Sequence, residues 1–299
     1  MSDIVGRIRA AFPAIGSARI ANLLARAGLH LARTTVRRFL QARANGFHPV
    51  PAEPSPVKLP AAFPTRRIIS RRPDHTWLAD LTVVPTGLGF WVPWLPFAFV
   101  QRWPFCWWIA VIVDHLSRAV VHFAVFRKEP TGGEVCKFFD RAVKRGGRAP
   151  KYAITDKGVQ FGEEYRAWCK RRGVRPRFGA IGKTGSIAVT ERLVLTLKSE
   201  GLRRIFVPFA WKESVAEVQA FVGWYNAVRP HTALGGATPN ELRRRVRPAR
   251  DGPRFETRPR YPTPRGRKLR AKKGTVLRLC VGHHRGRSHL PVIRLRVAA

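Results

Sequence analysis

Three carboxylates occupy distinctive positions in a chain that has few, with 18 Asp and Glu against 56 Lys and Arg. Asp80 interrupts the strand-like run WLADLTVV, Asp156 closes the short apolar run YAIT, and Glu191 lies early in the helix-like stretch IAVTERLVLTLKSE. An isolated carboxylate facing a core is costly to ionise, and several held together repel until one takes up a proton. A divalent cation removes both penalties. Mg²⁺ prefers oxygen ligands and is commonly held by one or two carboxylates, with water and substrate phosphate completing its octahedron. Two such ions roughly 4 Å apart can stabilise the attacking and leaving oxygens of an in-line phosphoryl transfer. Each acid also has a plainer reading. Asp80 could be an edge-strand acid facing water, Asp156 a cap on the following turn, and Glu191 half of a surface ion pair. Asp114 also ends an apolar strand, but it sits in the turn DHLSR, where Asp and Ser bond to nearby backbone, so a structural role is expected for it.

The surrounding pattern shows which elements must position these acids. Trp77–Val84, Phe105–Asp114 and Ala119–Phe126 read as strands, the last two joined by the DHLSR turn. Thr131–Lys144 has helical spacing, Tyr152–Thr155 is a short buried strand, Gln160–Arg172 a helix and VRPRF another short strand. Residues 188–202 and 211–228 read as helices. Three strands followed by alternating helix and strand describe an α/β mixed sheet with helices on its faces. Residues 88–113 are rich in aromatics, but Gln101, Arg102 and recurrent prolines break the run below the roughly 20 apolar residues a spanning helix needs. That segment reads as an aromatic hairpin leading into a buried strand, and no membrane partner is expected.

Outside this region, residues 17–44 read as two helices with a tight turn. Ser17 is placed to cap the first and Gly28 to end it in the left-handed conformation. The spacing is expected to turn Val36, Phe39 and Leu40 of the second helix inward, leaving Thr34, Thr35, Arg37, Arg38 and Arg43 towards solvent, as a helix-turn-helix presents its second helix to DNA. A plain helical pair with a basic face is the alternative. The expected organisation is a helix-turn-helix domain over 1–45, a proline-rich linker over 46–69, a core over 70–242 and an arginine-rich tail over 243–299. The end of that tail alternates apolar and basic residues and could form a small β-unit.

The formal net charge of +38 is self-repelling in a compact chain and fits a polyanionic partner, nucleic acid before a membrane surface. The four cysteines are scattered without zinc-site spacing, and no secretory signal is visible, so a reducing cytoplasm is expected.

The motifs in order resemble the catalytic core shared by retroviral integrases and the transposases of bacterial insertion sequences. The residues that carry the resemblance are WLADLT around Asp80, VDHLSR at 113–118, ITDKGVQF around Asp156, AVTERLVLTLKSE around Glu191 and WYNAVRPHTALGGATPNEL at 224–242. Thirty-four residues lie between Asp156 and Glu191, an interval typical of that family. The resemblance implies an RNase H-like fold, a five-stranded mixed sheet with flanking helices. Asp80 would lie on its central first strand, Asp156 at the end of the fourth and Glu191 on a later helix. It further implies that these three bind Mg²⁺ or Mn²⁺, two ions in all. The chemistry implied is hydrolysis at a transposon end followed by attack of the exposed 3′-OH on target DNA, by a homo-oligomer bearing two active sites. A metal-dependent nuclease of the same fold and a non-catalytic DNA-binding protein are the alternatives.

Two departures from the family pattern matter. Lys157 stands where Asn often follows the second Asp, and the Asp80–Asp156 interval is lengthened by the aromatic segment 88–105. Lys157 could meet a DNA phosphate or weaken metal binding by repulsion. Lys183 in the glycine-rich GAIGKTGS and Lys198, seven residues beyond Glu191, are further candidate DNA contacts. Arg229 and His231 could bind phosphate or brace their loop against the core.

Overall fold

The computed structural model describes residues 1–12, 15–44, 68–87, 101–179, 188–202, 205–245, 254–255, 268–269 and 277–297. The chain divides into two compact units, one of Arg66–Ala227 and one joining Met1–Thr65 to Val228–Ala299.

The first unit is built on β1 (Thr76–Pro85), β2 (Cys106–Asp114), β3 (Val120–Phe126), β4 (Tyr152–Thr155) and β5 (Arg175–Phe178). Their order across the sheet is β3-β2-β1-β4-β5. β1 pairs antiparallel with β2 and parallel with β4, and β4 is parallel to β5. This is the RNase H-like mixed sheet that the resemblance implies. Every residue of β2 is buried, which explains its unbroken apolar run: a central strand covered on both faces has no polar side to alternate with.

Two helices cover one face, α4 (Gly132–Gly146) and α5 (Glu163–Arg171). Val135, Phe138, Phe139 and Ala142 recur at helical spacing on α4, and Tyr165, Trp168 and Cys169 on α5. They pack against Trp77, Ala79, Ala110 and Ile112 of β1 and β2 in one cluster. Thr131 and Glu134 form a capping box that starts α4, and the Trp168 indole donates to Asp140 at 2.9 Å to join the two helices. The single helix expected over 160–172 is instead a 3₁₀ turn, Val159–Phe161, followed by α5, with Gly162 breaking the helical path between them.

The other helices of this unit are α6 (Ala188–Thr196), extended by the wider π turn Leu197–Gly201, and α7 (Trp211–Ala227). α6 packs against β1, and α7 against β3. Gly201 allows the close approach: a Cβ there would stand 2.8 Å from the Phe221 ring. Asn226 secures the end of α7. Its amide accepts from the Val120 N–H and donates to the Val120 carbonyl, both at 2.9 Å, so one side chain serves as a strand partner for β3. Asp114 has the structural role expected of it. It is fully buried and accepts from the Ser117 N–H and hydroxyl and from the Asp74 N–H.

The second unit contains α1 (Ser2–Ala11), α2 (Ser17–Arg26), α3 (Arg33–Ala44) and α8 (Pro239–Arg243). Its strands are the short pair β6 (Arg254–Phe255) and β7 (Lys268–Leu269), and the hairpin β8 (Leu277–His284) with β9 (Arg287–Val297). Gly28 does end α2 in the left-handed region, with φ of 100°. Leu29 N–H bonds to Leu24 O and Gly28 N–H to Ala25 O, a Schellman stop. Ser17 is the first helical residue rather than the cap; Gly16 takes that place, without a side-chain bond. Leu279, Ile293 and Leu295 of the hairpin share a core with Val5, Ile8, Ile20, Leu24 and Val36 of the helices. Arg26 of α2 reaches Glu241 of α8 through both guanidinium nitrogens, at 2.9 and 2.8 Å. The expected core, 70–242, therefore straddles the division after Ala227, because the residues beyond it pack with α2.

Candidate active site

Asp80 is the fifth residue of β1. Side chains alternate across a strand, and Trp77 and Ala79 belong to the cluster beneath α4 and α5, so Asp80 faces the opposite side, where α6 packs on β1. The parallel ladder between β1 and β4 ends at the Leu78–Ile154 pair, and Asp80 and Asp156 each lie two residues beyond it, so the two strands deliver both acids to the same end of the sheet. Glu191 lies in the first turn of α6 and is exposed.

The electrostatics are read most clearly at Asp80. Its carboxyl is pushed up to about 6, first by burial, then by the negative charge of Asp156; a 2.8 Å bond from the Leu81 N–H offsets part of this, Glu191 raises it further, and Lys198 lowers it. Two acids distant in sequence thus act on a third. Among the described residues no three His, Cys, Asp or Glu side chains are drawn close enough to form a ready metal cluster. The donor set, three carboxylates of which the most buried has its proton affinity raised by the others, has the chemistry a hard divalent cation takes. Asp156 also holds its own turn, accepting from the Gly158 N–H at 3.2 Å.

The other sequence candidates fall into distinct settings. Lys157 is exposed directly after Asp156, and Lys198 is half-buried in the π turn, within electrostatic reach of Asp80. On α3, Thr34, Arg37 and Arg38 are exposed and Thr35 half-buried, with Val36 beneath them. Arg229 and His231 differ from the phosphate-binding assignment. They are 7% and 8% exposed, and the Arg229 guanidinium stands 3.4 Å from His231 Nδ1. Their burial supports the bracing role. Lys183 and most of the aromatic segment 88–105 lie outside the described residues.

Sequence reasoning passed over Asn226, although it lies within a quoted motif, because nothing in its neighbourhood signals a bond to a strand more than a hundred residues away. It also gave no role to Trp103 and Trp211, which are exposed. A tryptophan left in water is itself a usable signal. No helix among the described residues is long and apolar enough to cross a membrane.

Comparison with known proteins adds an independent line. Residues 70–184 match an integrase core domain, and residues 172–239 match a second family of the same description. Chains described as transposases for insertion sequence element IS986/IS6110, from Mycobacterium tuberculosis and Mycobacterium bovis, are 26% identical over 258 residues, covering 81% of this chain and 86% of theirs. Among solved structures, the HTLV-2 integrase catalytic core domain in complex with magnesium aligns with 58% of this chain and 98% of its own, at 18% identity and a TM-score of 0.42. A simian T-cell lymphotropic virus intasome in complex with PP2A regulatory subunit B56 gamma aligns with 92% of this chain and 81% of that one, at 16% identity and a TM-score of 0.45.

Proposed function

We propose that the chain, whose residues 70–184 and 172–239 each match an integrase core domain, is a transposase whose Asp80, Asp156 and Glu191 carry metal-dependent cleavage and strand transfer at transposon ends. The observation that supports this most directly is the convergence on Asp80. β4, parallel to β1, ends one residue before Asp156, α6 packs on β1 and bears Glu191, and both acids act on the Asp80 carboxyl.

Mg²⁺ or Mn²⁺ bound by these three carboxylates would supply Lewis-acid stabilisation of the attacking and leaving oxygens in each phosphodiester substitution. The chain's own groups then have separable tasks. Asp80 must lose its proton to act as a ligand, and Lys198, close enough to lower its pKa, favours the ionised form. Lys157, exposed beside Asp156, is placed to meet a phosphate of the bound strand. Thr34, Arg37 and Arg38 on α3 offer hydroxyl and guanidinium donors for DNA recognition by a helix-turn-helix, and the general excess of positive charge supplies sequence-independent affinity. Joining two transposon ends calls for two active sites, hence a homo-oligomer on DNA.

The test is a strand-transfer assay with pre-cleaved terminal DNA and Mg²⁺. Joined product is expected from the wild-type chain and not from Asp80→Asn, Asp156→Asn or Glu191→Gln, each of which should still bind DNA. Turnover at the wild-type rate in all three variants would remove the site assignment, and cutting without joining would replace the transposase reading by a nuclease.

A further inference from the structure

At the end of β3 and the start of α7, on the unit 66–227, lies a pocket of about 660 Å³ that the acid triad does not use. It is lined by Arg102, Trp103, Val125, Phe126, Arg127, Lys128, Glu134 and Trp211. Its two tryptophans are each 45% exposed, unusual for the largest apolar side chain. Both are held in place from behind. The Trp103 indole N–H donates to the Phe209 carbonyl at 3.3 Å, and that of Trp211 to the Val125 carbonyl at 2.9 Å. Their hydrogen-bonding capacity is therefore spent on backbone, and the rings offer only aromatic surface. The Arg127 guanidinium sits 5.5 Å from the Trp103 ring centroid. Glu134, the acid among the described lining residues, turns its Oε2 into the capping box, accepting from the Thr131 N–H at 2.8 Å and hydroxyl at 3.2 Å. Among the described lining residues the pocket thus combines tethered aromatic faces with three cations against one carboxylate, whose Oε2 is held in the cap.

Fixed aromatic faces beside Arg and Lys are what an unpaired nucleic-acid strand requires: the rings take bases by stacking, and the cations take the phosphates between them. An acidic peptide would satisfy the cations but leave the indoles without purpose. Duplex DNA would reach the cations while keeping its bases stacked away from the rings. We propose that this pocket is a subsite for an unpaired DNA strand, whose base stacks on the indoles of Trp103 and Trp211 and whose phosphate meets Arg102, Arg127 and Lys128. Its volume accommodates a base with its sugar, within the range of small-ligand sites. The proposal rests on the reading of the chain as an enzyme acting on DNA. It adds that a strand end freed or frayed during cutting is held away from its complement.

The experiment compares binding of the full chain to a short oligothymidylate and to an abasic oligomer of the same length, which has the same phosphates and no bases. The wild-type chain should prefer the oligothymidylate by about tenfold, the scale of base–aromatic stacking. Trp103→Ala and Trp211→Ala should abolish the preference while leaving abasic affinity unchanged, and Trp103→Phe, which keeps a ring, should restore it. Oligomers carrying 5-bromodeoxyuridine should photo-crosslink within residues 101–128 or 205–213. Equal wild-type affinity for the two oligomers overturns the proposal whether or not the alanine variants fold, as do crosslinks confined to other peptides. Alanine variants that alter only oligomeric state also overturn it, marking the face as a protein interface. Joining of pre-cleaved duplex ends serves as the separate control: its loss in the acid variants tests the transposase reading, and its persistence in the tryptophan variants leaves that reading standing.

Discussion

Arg26 and Glu241, 215 positions apart, meet in a two-pronged ion pair at 2.9 and 2.8 Å, both side chains largely shielded from water. Glu241 simultaneously accepts from the Thr238 N–H at 2.8 Å, so the same carboxylate starts α8 and ties it to α2. Glu241→Ala removes a partly buried pair and a helix cap together. We expect it to destabilise the unit that joins the two chain ends by about 2–4 kcal/mol. Urea unfolding of Arg26→Ala, Glu241→Ala and the double variant checks this. A coupling energy near zero would show the pair to be ornamental.

Asp80→Asn should abolish strand transfer and, unusually for a site substitution, stabilise the metal-free fold at neutral pH. The native carboxyl titrates at about 6 against 3.8 for the free side chain. Between those values the folded chain holds a proton that the unfolded chain has released, so the contribution of Asp80 to stability falls as pH rises through the window and stays unfavourable above it. The cost at pH 7 is on the order of 2–3 kcal/mol. Thermal unfolding in chelator should show the gain at pH 7 and little of it near pH 4. An equal or lower melting temperature at pH 7 would contradict the burial and repulsion described for this acid.

His122 gives the opposite dependence. It stacks on Phe138 with centroids 5.2 Å apart, and its Nδ1 is buried without a hydrogen-bond partner among the described residues. Burial first, then Arg145 and Arg141, push its pKa down to about 4 from 6.5. The unfolded chain takes up a proton below about 6.5 that the folded chain refuses until about 4, so this stabilising contribution is lost as pH falls through that window. His122→Phe should flatten the acid limb of a melting-temperature profile. An unchanged slope would assign acid sensitivity elsewhere, with His115, also lowered to about 4 by burial and Arg118, the next candidate.

Asn226→Ala should leave the Val120 N–H and carbonyl without their partner at the sheet edge. The expected loss is about 1–3 kcal/mol, with faster hydrogen exchange at the Val120 amide. Asn226→Asp keeps an acceptor but loses the donor and should fall between. Exchange at Val120 unaltered in both variants would mean that the edge is held by other contacts.

The parts of the molecule that were legible in the sequence are those with local periodicity. β4 is Tyr152–Thr155, as its apolar run and closing acid indicate, and the Val135–Phe138–Phe139–Ala142 spacing gives α4 directly. Lys198 could be linked to the triad because seven residues make about two helical turns, and the π turn displaces it without removing it from the field of Asp80. The features that escaped depend on distant partners. Nothing near Asn226 announces Val120, and the whole of α1 passed unremarked because Val5 and Ile8 are only two inward positions. Gly162, whose ψ of −140° leaves the helical region, explains the broken helix, where periodicity alone ran on.

The core shared by Val5, Ile8, Leu24 and Val36 with Leu279, Ile293 and Leu295 draws its halves from segments far apart in sequence. During synthesis the helices α1, α2 and α3 must wait, with their apolar faces uncovered, until β8 and β9 have left the ribosome. A message cut short before Leu277 would therefore yield helices whose inward faces never find their cover.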